Sequence, residues 1–118
     1  ALFHTGDGGY GAHFKEIGER LGPFDLGFVE CGQYNERWRA IHMLPDEAVQ
    51  AASDAQIKRA TPYHWGGFKL AFHSWTAPAE DFTAAAQLKH LEYTLPKLGQ
   101  LMHLDQPAQV DAWWKDIT

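Results

Sequence analysis

Two short motifs, far apart in this chain of 118 residues, carry side chains of the kind that hold a catalytic metal: Gly6-Asp7-Gly8-Gly9-Tyr10 and Tyr63-His64-Trp65-Gly66-Gly67-Phe68. Each follows an apolar run that reads as a buried strand. A carboxylate and an imidazole at the exits of separate strands are ligand types that a hydrolytic zinc centre takes from an α/β scaffold. Asp7 and His64 are therefore paired as candidate metal ligands. Taken singly, Asp7 suits a turn residue capping the helix after it. His64 alone suits a buried histidine bonded to backbone among aromatic neighbours. Only together do they point to a metal, and they supply half of a site.

The first motif supports a rival chemistry. Gly6, Gly8 and Gly11 satisfy the G-x-G-x-x-G spacing of a dinucleotide-binding turn between a strand and a helix, and Glu30 lies about 20 residues on, where a ribose contact belongs. That reading leaves His64 without a role. His42, shortly before Pro45, is a candidate substrate contact, an acid/base group or a helix-start residue. His4, His13, His73, His90 and His103 show no clustering spacing and read as structural or surface residues. Cys31 reads as a small buried hydrophobe, and Trp113-Trp114 as packing near the end of the chain. Neither a G-x-S-x-G elbow nor a phosphate-binding P-loop occurs.

The elements that must position these residues alternate. Ala1 to Thr5 predicts a strand, and Phe14, Ile17 and Leu21 recur at helical spacing within a helix from Ala12 to Leu21. Gly22-Pro23 ends that helix, and Asp25 to Cys31 predicts a second strand. Residues 32 to 43 lack periodicity and predict a long loop. Pro45-Asp46-Glu47 opens a helix to about Gln56, with Pro and acids in its first turn, and Lys58 to His64 predicts a third strand. A helix from Ala79 to Leu91, a short apolar run from Gln100 to Leu104 and a closing helical turn complete the chain. In such open α/β arrangements ligands bind at the carboxyl ends of strands, so Asp7, the Glu30 to Tyr34 segment and His64 should meet on one rim.

Composition bounds the classes. Hydrophobic residues make up 45% and aromatics 14% of the chain, enough for one small core. A net charge of −5 with no basic cluster argues against nucleic-acid binding. One cysteine allows no internal disulfide and fits a reducing compartment, with a cytoplasmic location favoured. No run reaches the length of a membrane span. The chain opens at Ala1 inside a strand, which predicts a piece of a longer protein: a single partial domain over residues 1 to 118.

GDGGY (6 to 10), FKEIGERLGPFDL (14 to 26), Gly32, Tyr34, Arg37 and Trp38, then His42 with PDEAV (45 to 49), and HWGGFKL (64 to 70) occur in that order. Together they resemble the carboxyl half of metallo-β-lactamase-fold hydrolases, nearest the subgroup of N-acyl-phosphatidylethanolamine-hydrolysing phospholipase D and RomA-type proteins. The resemblance implies the second half of an αββα fold and a two-zinc site, with Asp7 bridging the metals, His64 on one of them and His42 near the substrate. It implies hydrolysis of a phosphodiester or other ester-like bond in a small-molecule or lipid substrate, with peripheral membrane association as a further possibility. The family's H-x-H-x-D-H signature does not occur in this chain. The expectation is a fragment inactive alone, completed by a missing amino-terminal half or by an oligomeric partner; the alternative beside the dinucleotide module is a non-catalytic half-domain that pairs with a partner.

Overall fold

The computed structural model describes residues 1–68, 70–108 and 110–117. The alternation expected from the sequence is present: β1 (Leu2–His4), α1 (His13–Leu21), β2 (Leu26–Glu30), α2 (Pro45–Asp54), β3 (Arg59–Tyr63), α3 (Ala77–Leu88) and β4 (Glu92–Tyr93). The strands form one sheet in the order β1-β2-β3-β4, and every neighbouring pair is parallel. Parallel neighbours need a crossover, and the three helices supply it.

Strand alternation explains where the helices pack. Phe3, Gly27 and Ala60 are register partners and share one sheet face with Val29. Phe3, Val29 and Ala60 join a core cluster with Phe14 of α1, Ala48, Val49, Ala51 and Ala52 of α2, and Phe82 and Ala86 of α3. Small residues let α2 approach closely. At Gly27 a Cβ would lie 2.3 Å from the Ile57 Cδ1 atom, and at Gly18 of α1 it would lie 2.4 Å from the Asp54 carbonyl oxygen. Pro45 starts α2, and Glu47 reaches back to the Leu44 amide at 3.0 Å, satisfying a donor that the helix leaves free.

The differences from expectation are local. The loop between β2 and α2 contains a 3-10 turn at Glu36–Trp38, begun by Asn35, whose side chain accepts from the Arg37 amide. Helix α3 begins at Ala77, because Pro78 is tolerated inside a first turn that needs no amide from it, and it ends at Leu88. His90 then takes a φ of 55° before β4, a two-residue strand too short to show alternation. Gln100 to Leu104 forms no regular element, with Leu101 79% exposed. Trp113–Asp116 is a 3-10 turn, and Trp114 packs with Leu95 and Ala79 in a second small cluster beside Trp65. Among the described residues no helix is long and apolar enough to cross a membrane.

Candidate metal centre

The site forms where β1, β2 and β3 end, and backbone constraints set each of its parts. After β1 the chain turns at Gly6, whose φ of 67° favours glycine. That turn is pinned from three sides. The Gly6 amide donates to His4 Nδ1 at 3.1 Å, while its carbonyl accepts from the Tyr63 hydroxyl at 2.6 Å and from Thr5 Oγ1 at 3.0 Å. Thr5 Oγ1 in turn accepts from the Glu30 amide at 3.0 Å. Burial raises the Tyr63 phenol above its ordinary value, and the Asp7 and Glu30 carboxylates add to the shift, so it remains a donor at neutral pH. The turn that presents Asp7 is thereby tied to both neighbouring strands.

His64 stands one residue beyond β3 with a φ of 73°, an uncommon conformation for a residue with a Cβ. Its backbone lies against the exit of β2. A Cβ on Gly32 would fall 1.5 Å from the His64 carbonyl oxygen, so only glycine permits this approach. Buried Gln33 fixes the loop after His64: its amide nitrogen donates to the Phe68 carbonyl at 3.0 Å and to that of His64 at 3.4 Å. Its oxygen accepts from the amides of Leu70 and Ala71 at 3.2 and 3.1 Å. Of the His64 to Leu70 motif, Lys69 lies outside the described residues.

His42 arrives from the other side, at the end of the long loop. Gly9 lets that loop approach the first turn, since a Cβ there would meet the Ala40 carbonyl oxygen at 2.5 Å. The result is one cluster. His64 Nδ1 lies 3.8 Å from Asp7 Oδ1, and the His42 and His64 rings are 5.5 Å apart, centroid to centroid. Asp7, His64 and His42, chosen on sequence, are therefore brought together on one rim.

The residue that joins them is Glu30. Its side chain is fully buried, against 17% exposure for His42, 32% for His64 and 62% for Asp7. One oxygen, Oε1, lies 2.8 Å from His42 Nδ1 and 3.1 Å from His64 Nδ1, and the other accepts from the Met43 amide at 3.0 Å. The ribose role that the dinucleotide spacing gives Glu30 is thus overturned, because a carboxylate enclosed by two imidazoles and a backbone amide has no face for a nucleotide. A charged residue inside the apolar run Asp25 to Cys31 was the available signal, since an acid is rarely buried without partners. Gln33 gave no signal, being one polar residue among several in a loop.

Glu30, His42 and His64 each offer a ligand atom within 4.8 Å of the others. As they stand they are hydrogen-bonded: tetrahedral zinc ligands about 2.05 Å from the metal are separated by roughly 3.3 Å, and both Glu30 contacts are shorter. Asp7 with His64 is the more open pair, an exposed carboxylate facing an imidazole. Their donor types fit zinc, although two ligands fall short of the three or four that such a site requires.

Comparison with known proteins shows the family. A family model described as a beta-lactamase superfamily domain matches residues 1–65, which include Asp7, Glu30, His42 and His64. The chain belongs to the β-lactamase superfamily. An uncharacterized protein of Mycobacterium tuberculosis is 41% identical over 116 residues, covering 96% of this chain and 31% of its own length. The outer membrane protein RomA of Klebsiella pneumoniae is 49% identical over 65 residues, which is 55% of this chain and 49% of RomA. N-acyl-phosphatidylethanolamine-hydrolyzing phospholipase D 1 of Caenorhabditis elegans is 30% identical over 108 residues, 85% of this chain and 30% of that enzyme. The chain spans about a third of the length of the mycobacterial and worm relatives.

Two solved structures share the fold. Igni18, described as a novel metallo hydrolase from the archaeon Ignicoccus hospitalis, superposes with a TM-score of 0.61 at 19% identity, over 80% of this chain and 36% of its own. The metallo-β-lactamase fold protein YhfI of Bacillus subtilis gives 0.59 at 22% identity, over 82% and 37%. The four-stranded α/β sheet is thus part of a metallo-β-lactamase fold.

Proposed function

We propose that this chain is the carboxyl half of a zinc-dependent hydrolase of phosphodiester or other ester-like bonds, inactive until the rest of the site is supplied. The observation that carries this reading is that Asp7 and His64 stand on one rim at the ends of β1 and β3, the Asp7 carboxylate 3.8 Å from the Nδ1 side of the His64 ring, in a member of this superfamily. Asp7 would bridge two zinc ions and His64 would hold one of them. Zinc in such a site lowers the pKa of bound water to about 7 and stabilises charge that develops on the substrate oxygen.

The chain's own residues supply binding and orientation. His42, held at Nδ1 by Glu30, keeps Nε2 for the substrate, as a donor to an anionic oxygen when the ring carries a second proton and as an acceptor when it does not. The Tyr63 and Thr5 bonds hold the Gly6 carbonyl and with it the turn bearing Asp7. Phe68 and Leu70, 88% and 67% exposed on the loop after His64, line one hollow with His64 and Trp65, an apolar lining that favours a lipid phosphoester over a small polar one. Such a loop is also what peripheral contact with a membrane requires, with the bulk of the protein in the cytoplasm. The remaining zinc ligands come from the rest of a longer chain, as the one-third coverage of relatives supports; a second copy of this chain is the other source.

The test is hydrolysis of a chromogenic phosphodiester and of a carboxylic ester by the full-length protein. Activity abolished by a chelator, restored by zinc and lost in Asp7→Ala and His64→Ala is the expected result. Hydrolysis indifferent to chelation and to both substitutions contradicts the proposal.

A further inference from the structure

Glu30 poses a question that the proposed chemistry leaves open: a carboxylate with no exposed surface normally has a cationic partner, yet among the described residues its ion-pair partners are two histidines. An ionised carboxylate only accepts hydrogen bonds. With Glu30 ionised and Oε2 taking the Met43 amide, both short contacts at Oε1 put hydrogen on His42 Nδ1 and on His64 Nδ1. In a neutral imidazole this leaves the lone pair on Nε2. We propose that Glu30 is a positioning residue that locks His42 and His64 together in the Nδ1–H tautomer, reserving Nε2 of His64 for the metal and Nε2 of His42 for the substrate.

The arrangement uses one oxygen for two rings, with a separate bond to each: 2.8 Å to His42 Nδ1 and 3.1 Å to His64 Nδ1. A carboxylate behind a ligating histidine fixes its tautomer and raises its basicity, and removing such a partner typically costs about 10–100-fold in metal affinity. The zinc part of this inference rests on the function proposed for Asp7 and His64; the tautomer part does not.

Glu30→Gln separates the two. Glutamine keeps the shape but has one acceptor: if its oxygen takes the Met43 amide, its nitrogen faces both Nδ1 atoms and demands the opposite tautomer. Long-range nitrogen–proton NMR correlations on metal-free full-length protein at about pH 8, where an ordinary imidazole is neutral, read the tautomers directly. His42→Asn and His64→Asn identify the signals. Wild-type protein is expected to show Nδ1–H at both residues. Glu30→Gln is expected to lose that form and to bind zinc about 10–100-fold more weakly in a chelator competition, with its circular dichroism preserved.

Nε2–H at either histidine in the wild type would overturn the proposal, as would wild-type zinc affinity in Glu30→Gln. If Glu30→Gln fails to fold, the wild-type tautomers still decide. Wild-type protein that binds no zinc but shows Nδ1–H at both rings would remove the zinc reading and leave the Glu30 lock standing.

Discussion

At the scale of single residues, the site divides by exposure. Asp7 is open to solvent and free to meet a ligand, whereas Glu30 is enclosed and satisfied, and the two histidines stand between them. His42 has its Nδ1 committed to Glu30 and contributes no backbone to the turns that bear Asp7 and His64, so its substitution should leave the proposed zinc ligands in place. His42→Gln is predicted to lower kcat/KM about 10–100-fold, the equivalent of one hydrogen bond to a charged group worth about 1.5–3 kcal/mol. Zinc content should stay unchanged, and metal analysis beside steady-state kinetics checks both. The position of Asp7 and His64 at strand exits was legible in the sequence because glycine-rich turns after apolar runs mark such exits. Glu30 was noticed for its distance from the glycines, which assigned it a ribose; its actual partners come from the loop before α2 and the exit of β3, which no local pattern records.

At the scale of elements, close backbone approach matters more than any regular structure. Gly32 brings the exit of β2 against His64, and a methyl group there has no room. Gly32→Ala should displace the His64 backbone, weaken zinc binding and cost at least the 1–3 kcal/mol or so typical of overpacking. Phe82→Ala, in the core between α3 and the sheet, should cost about 3–5 kcal/mol and leave metal binding intact in the folded protein. Urea unfolding and zinc titration of the two variants separate a positioning contact from a packing one. The three longer strands and three helices were legible because apolar spacing and Gly-Pro punctuation agree there. β4 was not, since two residues paired to Arg59 and Ala60 carry no periodic signal. Helix α3 starts at Ala77 and not at Ala79 because a first turn accepts Pro78.

At the scale of the whole molecule, a parallel sheet covered by helices on one face is the frame that turns three distant strand ends into one rim. Buried phenols give this frame a stability limit in alkali. Burial raises Tyr34 well above its ordinary value of 10.0, with the neighbouring charges and its bond to Asp81 adding to it. Below pH 10 the phenol is protonated in folded and unfolded chains alike, and its contribution is fully present. As pH rises past about 10 the unfolded chain releases that proton first, so stability falls until the folded phenol ionises too. Tyr34→Phe should flatten the fall, as read by urea midpoints across that range. The central claim, that Asp7 and His64 belong to a zinc site, is tested most directly by metal content. Inductively coupled plasma mass spectrometry of purified full-length protein should find about two zinc ions per chain, as in two-metal hydrolytic sites, with loss in Asp7→Ala and in His64→Ala. Absence of zinc from the wild type, or its full retention in both variants, would contradict the account.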